Sequence, residues 1–168
     1  MQEIEKNIAE IKAELFSGNE DLVIDTIEYI RNLSVFQDIE SLLDLYITSS
    51  SKEIKTAIYK LLSDIKDISF VDTFVSIITK PKYQSILNEL VSICWQNSLD
   101  FSPHIDVFVD LLLKGNIQIA IECFTVIEES LVNLTDKKRL EIKEKLLSNI
   151  SIIDNNRKGL IEELTHIL

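Results

Sequence analysis

Three apolar positions recur four times along the chain with one internal spacing. They are Val23, Ile27 and Ile30; Ile54, Ile58 and Leu61; Ile86, Leu90 and Ile93; and Ile119, Cys123 and Val126. The i, i+4, i+7 spacing is one face of a helix. The sets follow one another at offsets of 31, 32 and 33 residues. A period of that size predicts stacked helix pairs, each burying its apolar face against the next. A second series marks the other helix of each pair: Ile39, Leu42, Leu43 and Tyr46, then Val71, Phe74, Val75 and Ile78, then Ile105, Phe108, Val109 and Leu112. Around 138–149 this series gives way to a charged stretch with Leu140, Ile142, Leu146 and Leu147 remaining. A terminal repeat needs one such wet face.

The pattern predicts helices near 2–16, 20–33, 35–48, 51–66, 69–80, 83–97, 103–114, 116–131, 136–149 and 155–168. Ser17 with Glu20, and Ser50 with Glu53, read as capping boxes opening the first helix of a pair. Ser34, Ser69, Ser102 and Thr135 read as caps of the second helices, with Gln37 and Asp72 three residues after the first two. Pro103 follows Ser102 at a first-turn position that needs no N–H. Lys80-Pro81-Lys82 is the sharpest break, and 97–102 the longest loop inside a pair. No stretch reads as a linker between domains, so the expectation is one helical-repeat domain over 1–168.

The triplets and paired amphipathic helices of 19–150 resemble the HEAT/ARM class of α-helical repeats. The usual proline of the first helix is missing, and the inter-helix aspartate and basic residue are irregular. The resemblance implies an all-α, right-handed α-α superhelix of about four helix pairs with flanking terminal helices. It also implies a concave face, lined by the second helices, that holds proteins or peptides; some members bind nucleic acid and a few host chemistry.

Composition narrows that menu. The net charge is −11, distributed as −8 over 1–50, +2 over 51–82, −7 over 83–136 and +2 over 137–168. Phosphate backbones reward Lys and Arg, so nucleic acid is a poor match. No uninterrupted apolar run reaches the ~20 residues of a membrane span, and the acidic start lacks the basic region of a signal peptide. The expectation is a cytoplasmic protein with no membrane partner. The two histidines, His104 and His166, fall in different repeats with no thiol or imidazole at ligand spacing. No HExxH, CxxC, glycine-rich phosphate loop or GxSxG is present. No catalytic residue, metal or cofactor is expected, and Cys94 and Cys123 read as buried free thiols.

What remains is surface. Opposite the core set of the second helices lie Glu40, Asp72 and Asp106, one per repeat, flanked by Asp44 and Asp110. This stripe is either a solvated face or a seat for a Lys/Arg-rich partner. Trp95, the only tryptophan, lies two residues beyond Ile93 and is either packed between repeats or an exposed anchor. Phe101 is expected to plug the 97–102 loop onto the core. The predicted function is a non-enzymatic protein-protein interaction module, a scaffold or adaptor presenting Glu40, Asp44, Asp72, Asp106, Asp110 and Trp95 to a protein partner, preferably a basic one. The alternatives are an immunity-type inhibitor of a basic toxin and, with least support, an enzyme or nucleic-acid-binding relative. The terminal helices, with Ile4, Ile8, Ile11 and Leu15 at one end and Leu160, Ile161, Leu164, Ile167 and Leu168 at the other, suit capping of a monomer or a weak homodimer.

Overall fold

A computed structural model describes residues 6–33 and 38–168. Among them are ten α-helices and no strand. The chain divides by its contacts into two compact units, Met1–Asp67 and Ile68–Leu168. Unit 1 contains α1 (Ile8–Leu15), α2 (Glu20–Arg31), α3 (Ile39–Thr48) and α4 (Lys52–Asp64). Within it α1 packs on α2 and α3, and both α2 and α3 pack on α4. Unit 2 contains α5 (Ser69–Ile78), α6 (Leu87–Gln96), α7 (Ile105–Lys114), α8 (Ile117–Ser130), α9 (Asp136–Asn149) and α10 (Asn155–Ile167). Here α5 packs on α6, α6 on α8, α7 on α8 and α9, and α10 on α8 and α9. Contacts between next and next-but-one helices are compatible with a helical repeat.

The repeated positions form the core. All of the triplet residues are buried except Ile119, which is half-buried. In the second helices of the pairs all are buried except Tyr46. On α9, Ile142 and Leu146 are buried while Leu140 and Leu147 stay exposed. Leu140 and Leu147 are seven residues apart, on the helix face turned to water. Phe101 is buried and meets Phe108 edge-on at 6.0 Å, closing the loop onto the core as its position predicts.

The caps differ from the expected ones. The N-cap of α2 is Asn19, whose side chain accepts from Leu22 N–H, while Ser17 accepts from Asn19 N–H. Gly18 at φ 77° lets the chain turn between them. The N-cap of α4 is Ser51, not Ser50; its hydroxyl accepts from Ile54 N–H. Ser69 lies inside α5, and Ser102 opens a 3₁₀ turn at Ser102–His104. Thr135 caps α9 as expected. Ser34 and Gln37 lie outside the described residues; Asn7 and Asp38 cap α1 and α3, so these helices begin at Ile8 and Ile39, later than the starts expected at 2 and 35. A reciprocal capping box does occur at α1, between Asn7 and Glu10, at 3.0 Å in both directions. Pro81 starts a second 3₁₀ segment, Pro81–Ile86, so α6 begins later than its apolar period suggests. At the end of α6, Ser98 takes φ 64°, a left-handed conformation that glycine adopts more readily.

Polar clips tie the helices together. In unit 1 the Glu14 carboxylate accepts from Lys6 at 2.6 Å and from the fully buried Thr26 hydroxyl at 2.9 Å. Lys12 reaches Asp38, the N-cap of α3, at 2.6 Å. In unit 2 one Nη1 of Arg157, near the start of α10, donates to the carbonyls of Leu113 and Gly115 at 2.8 and 2.7 Å, with Leu112 at 3.4 Å. Those carbonyls end α7.

Candidate functional site

The acidic stripe is distributed over three helices. Glu40 and Asp44 lie on α3 of unit 1, both half-buried. Asp72, Asp106 and Asp110 lie on α5 and α7 of unit 2. Stacked carboxylates would repel, but each of the three in unit 2 meets a basic side chain from later in the sequence. Asp72 takes His104 Nε2 at 2.6 Å. Asp106 takes Lys138 at 2.6 Å, and Asp110 takes Lys145 at 2.7 Å. The first two pairs span 32 residues, one repeat. The Lys145 ammonium holds the Asp110 carboxyl below its ordinary value, against burial, with Lys114 at 3.5 Å adding to it. Asp106 in turn holds the Lys138 ammonium above its ordinary value. The basic residues that make α9 look like a wet terminal helix therefore also neutralise the far end of the stripe.

The charge left over sits elsewhere in unit 2. Glu89 on α6, Asp100 in the loop that follows, and Glu122, Glu128 and Glu129 on α8 meet no cation among the described residues. Trp95, on α6, is close to three of them, Asp100, Glu122 and Glu129. Trp95 is 38% exposed, so it is not a core residue. The indole N–H donates to Glu122 at 2.6 Å. Beside it is a recess of about 240 Å³ whose walls include Trp95, Leu99, Phe101 and Val126, with Asp100 and Glu129 also lining it. Asp100 is fixed in place: it accepts from Ser102 N–H at 2.9 Å. Burial pushes the Asp100 carboxyl up, and hydrogen bonds from Ser102 and Asn133 outweigh this and leave it below its ordinary value.

Sequence reasoning picked out Trp95 but not its acidic surroundings. Glu122 and Glu129 are seven residues apart on one face of α8, and they follow Trp95 by about one repeat. The repeat offset, applied to exposed residues as well as core ones, would have brought them together.

The recess also contacts Cys94, but this thiol does not suit nucleophilic chemistry. Cys94 and Cys123 are free and buried, and burial pushes both thiols well up, away from the reactive thiolate. Among the described residues, no group of three His, Cys, Asp or Glu is placed to hold a metal ion. No described helix is long and apolar enough to cross a membrane. Comparison with protein-family models, curated proteins and solved structures finds no match.

Proposed function

We propose that this chain is a non-enzymatic interaction module, built as a HEAT/ARM-like superhelix of helix pairs, that receives a basic protein partner on its acidic surface. The observation that carries this reading is a set of carboxylates, Asp100 after α6 and Glu122 and Glu129 on α8, that meet no base among the described residues, next to a half-exposed tryptophan. Unmatched charge of one sign steers an oppositely charged partner and sets its register. An aromatic at the same place supplies the apolar contact that charge alone lacks. The stripe of Asp72, Asp106 and Asp110 contributes less on this reading, because Lys138 and Lys145 already neutralise Asp106 and Asp110, and Asp72 is hydrogen-bonded to His104.

The test is affinity capture from the native cell at increasing ionic strength, with two sets of charge reversals. Retention of a basic partner should fall steeply as the screening length drops below ~10 Å. Glu128→Lys with Glu129→Lys should abolish capture. Asp72→Lys with Asp106→Lys should weaken it less. Capture that is indifferent to salt and survives both pairs of reversals would sink the reading.

A further inference from the structure

We infer that the recess beside Trp95 is a socket for a single arginine side chain projecting from the partner. The inference rests on the basic-partner reading and narrows it to one side chain and one place. Size is the first argument. At about 240 Å³ the recess falls below the ~300–1,000 Å³ of sites for drug-sized ligands or cofactors. One long side chain is the occupant that fits.

Chemistry is the second. Trp95 and Leu99 offer apolar surface to a methylene stem over a floor of buried Phe101 and Val126. Asp100 and Glu129 line the same recess and offer carboxylates to its charged head. Such a division suits an amphipathic cation and suits neither an anion nor a wholly apolar group. The carboxylate of Glu129 has no hydrogen-bond or ion-pair partner among the described residues, so binding displaces no internal ion pair there. Asp100 is held by Ser102 and Asn133, so its ordering is already paid before the partner arrives.

Arginine is favoured over lysine for a geometric reason. A planar guanidinium stacks on an indole face and forks to two acceptors, whereas an ammonium is a strongly hydrated point charge. The indole itself is oriented by the bond from its N–H to Glu122.

Trp95 is the only tryptophan, so intrinsic fluorescence reads the socket directly. The probes are three blocked tripeptides, glycyl-X-glycinamide with X arginine, lysine or citrulline, titrated into the full chain. The arginine peptide should give a saturable change with a midpoint near ~1 mM, as suits one isolated side chain. Lysine should bind several-fold more weakly. Citrulline, nearly isosteric but neutral, should bind at least tenfold more weakly. Glu129→Gln should weaken the arginine peptide about fivefold or more with an unchanged thermal melt, since that carboxylate makes no hydrogen bond or ion pair among the described residues. As a second readout that does not rely on fluorescence, amide shifts of residues 94–101 and 126–133 should move with the arginine peptide in wild type.

Absence of saturation up to ~10 mM, equal response to citrulline, or an unaltered midpoint in Glu129→Gln each overturns the socket. Its failure is distinguishable from failure of the broader reading. If the arginine peptide does not bind but a basic partner is still captured in a salt-sensitive way, only the socket falls. If capture is indifferent to salt and to charge reversal, the basic-partner reading falls whatever the peptide does.

Discussion

Replacing Arg157 by alanine removes the side chain that closes the end of α7 from α10. The last carbonyls of a helix lack intrahelical donors. Here Leu111 is served by the N–H of Gly115 at 2.7 Å, whereas Leu113 and Gly115 depend on Arg157 at 2.8 and 2.7 Å. A hydrogen bond involving a charged donor contributes about 1.5–3 kcal/mol. Two such bonds set an upper limit, because water enters once the side chain is gone and the site is 14% exposed. The positive charge also lies at the negative end of the α7 dipole, an effect of up to ~2 kcal/mol when partly buried and already contained in those bonds. The expected cost of Arg157→Ala is therefore about 2–3 kcal/mol. At roughly 2–4 °C per kcal/mol for a chain of this size, the melting temperature should drop by about 5–10 °C. Urea unfolding followed by circular dichroism measures it, with an unchanged m-value as the sign that the denatured state is unaltered. Arg157→Lys keeps the charge and loses the fork, so it should recover less than half. A loss of under ~0.5 kcal/mol, the size of an ordinary surface substitution, would refute the argument that this clip closes the helix end.

Other expectations follow from the same structure. Trp95→Ala should cost about 1–2 kcal/mol, not the ~3–5 of a core tryptophan, because the residue is only partly buried; a calorimetric melt distinguishes the two. Ser98→Gly should stabilise the chain by up to ~1 kcal/mol, since it relieves a left-handed backbone at the end of α6; a lowered urea midpoint would contradict this. Stability should decline on acidification. Glu14, Asp38, Asp100, Asp110 and Asp154 all titrate below their ordinary values of 4.5 for Glu and 3.8 for Asp when folded. Their contribution is present above those values and is lost as pH falls through the lower folded ones. Lys138 acts with the opposite sign. It titrates above 10.5 when folded, so its contribution is present below that value and is lost as pH rises through the higher folded one. Urea midpoints measured across the pH range should thus show a plateau between these two limits. A midpoint that rises below pH ~4 would refute the assignment of those carboxylates.

Helix positions were legible in the sequence because burial imposes a period, and each described helix lies within its expected range, although α1, α3 and α6 begin four to six residues later than expected. Starts were less legible. Asn19 and Ser51 cap where Ser17 and Ser50 were expected, because several neighbouring side chains can serve; at α2 the turn at Gly18 places Asn19 at the cap. Prolines moved two more starts by favouring short 3₁₀ segments at Pro81–Ile86 and Ser102–His104. The candidate surface was legible residue by residue but not in its pairing. Lys138 and Lys145 are long side chains on a helix whose sequence marks it only as solvated, and nothing local says that they reach back to Asp106 and Asp110. The unmatched acids near Trp95 emerge only when those pairs are known.

The two buried thiols give unit 2 an internal clock. Cys94 and Cys123 lie on α6 and α8, and both are sealed from solvent, so a thiol reagent can reach them only when these helices open. Labelling then proceeds at the intrinsic rate multiplied by the fraction of molecules open, as amide exchange does. No cysteine lies in Met1–Asp67, so the labelling signal belongs wholly to Ile68–Leu168. An arginine peptide that occupies the recess against Cys94 should slow labelling in proportion to its occupancy, without any engineered reporter.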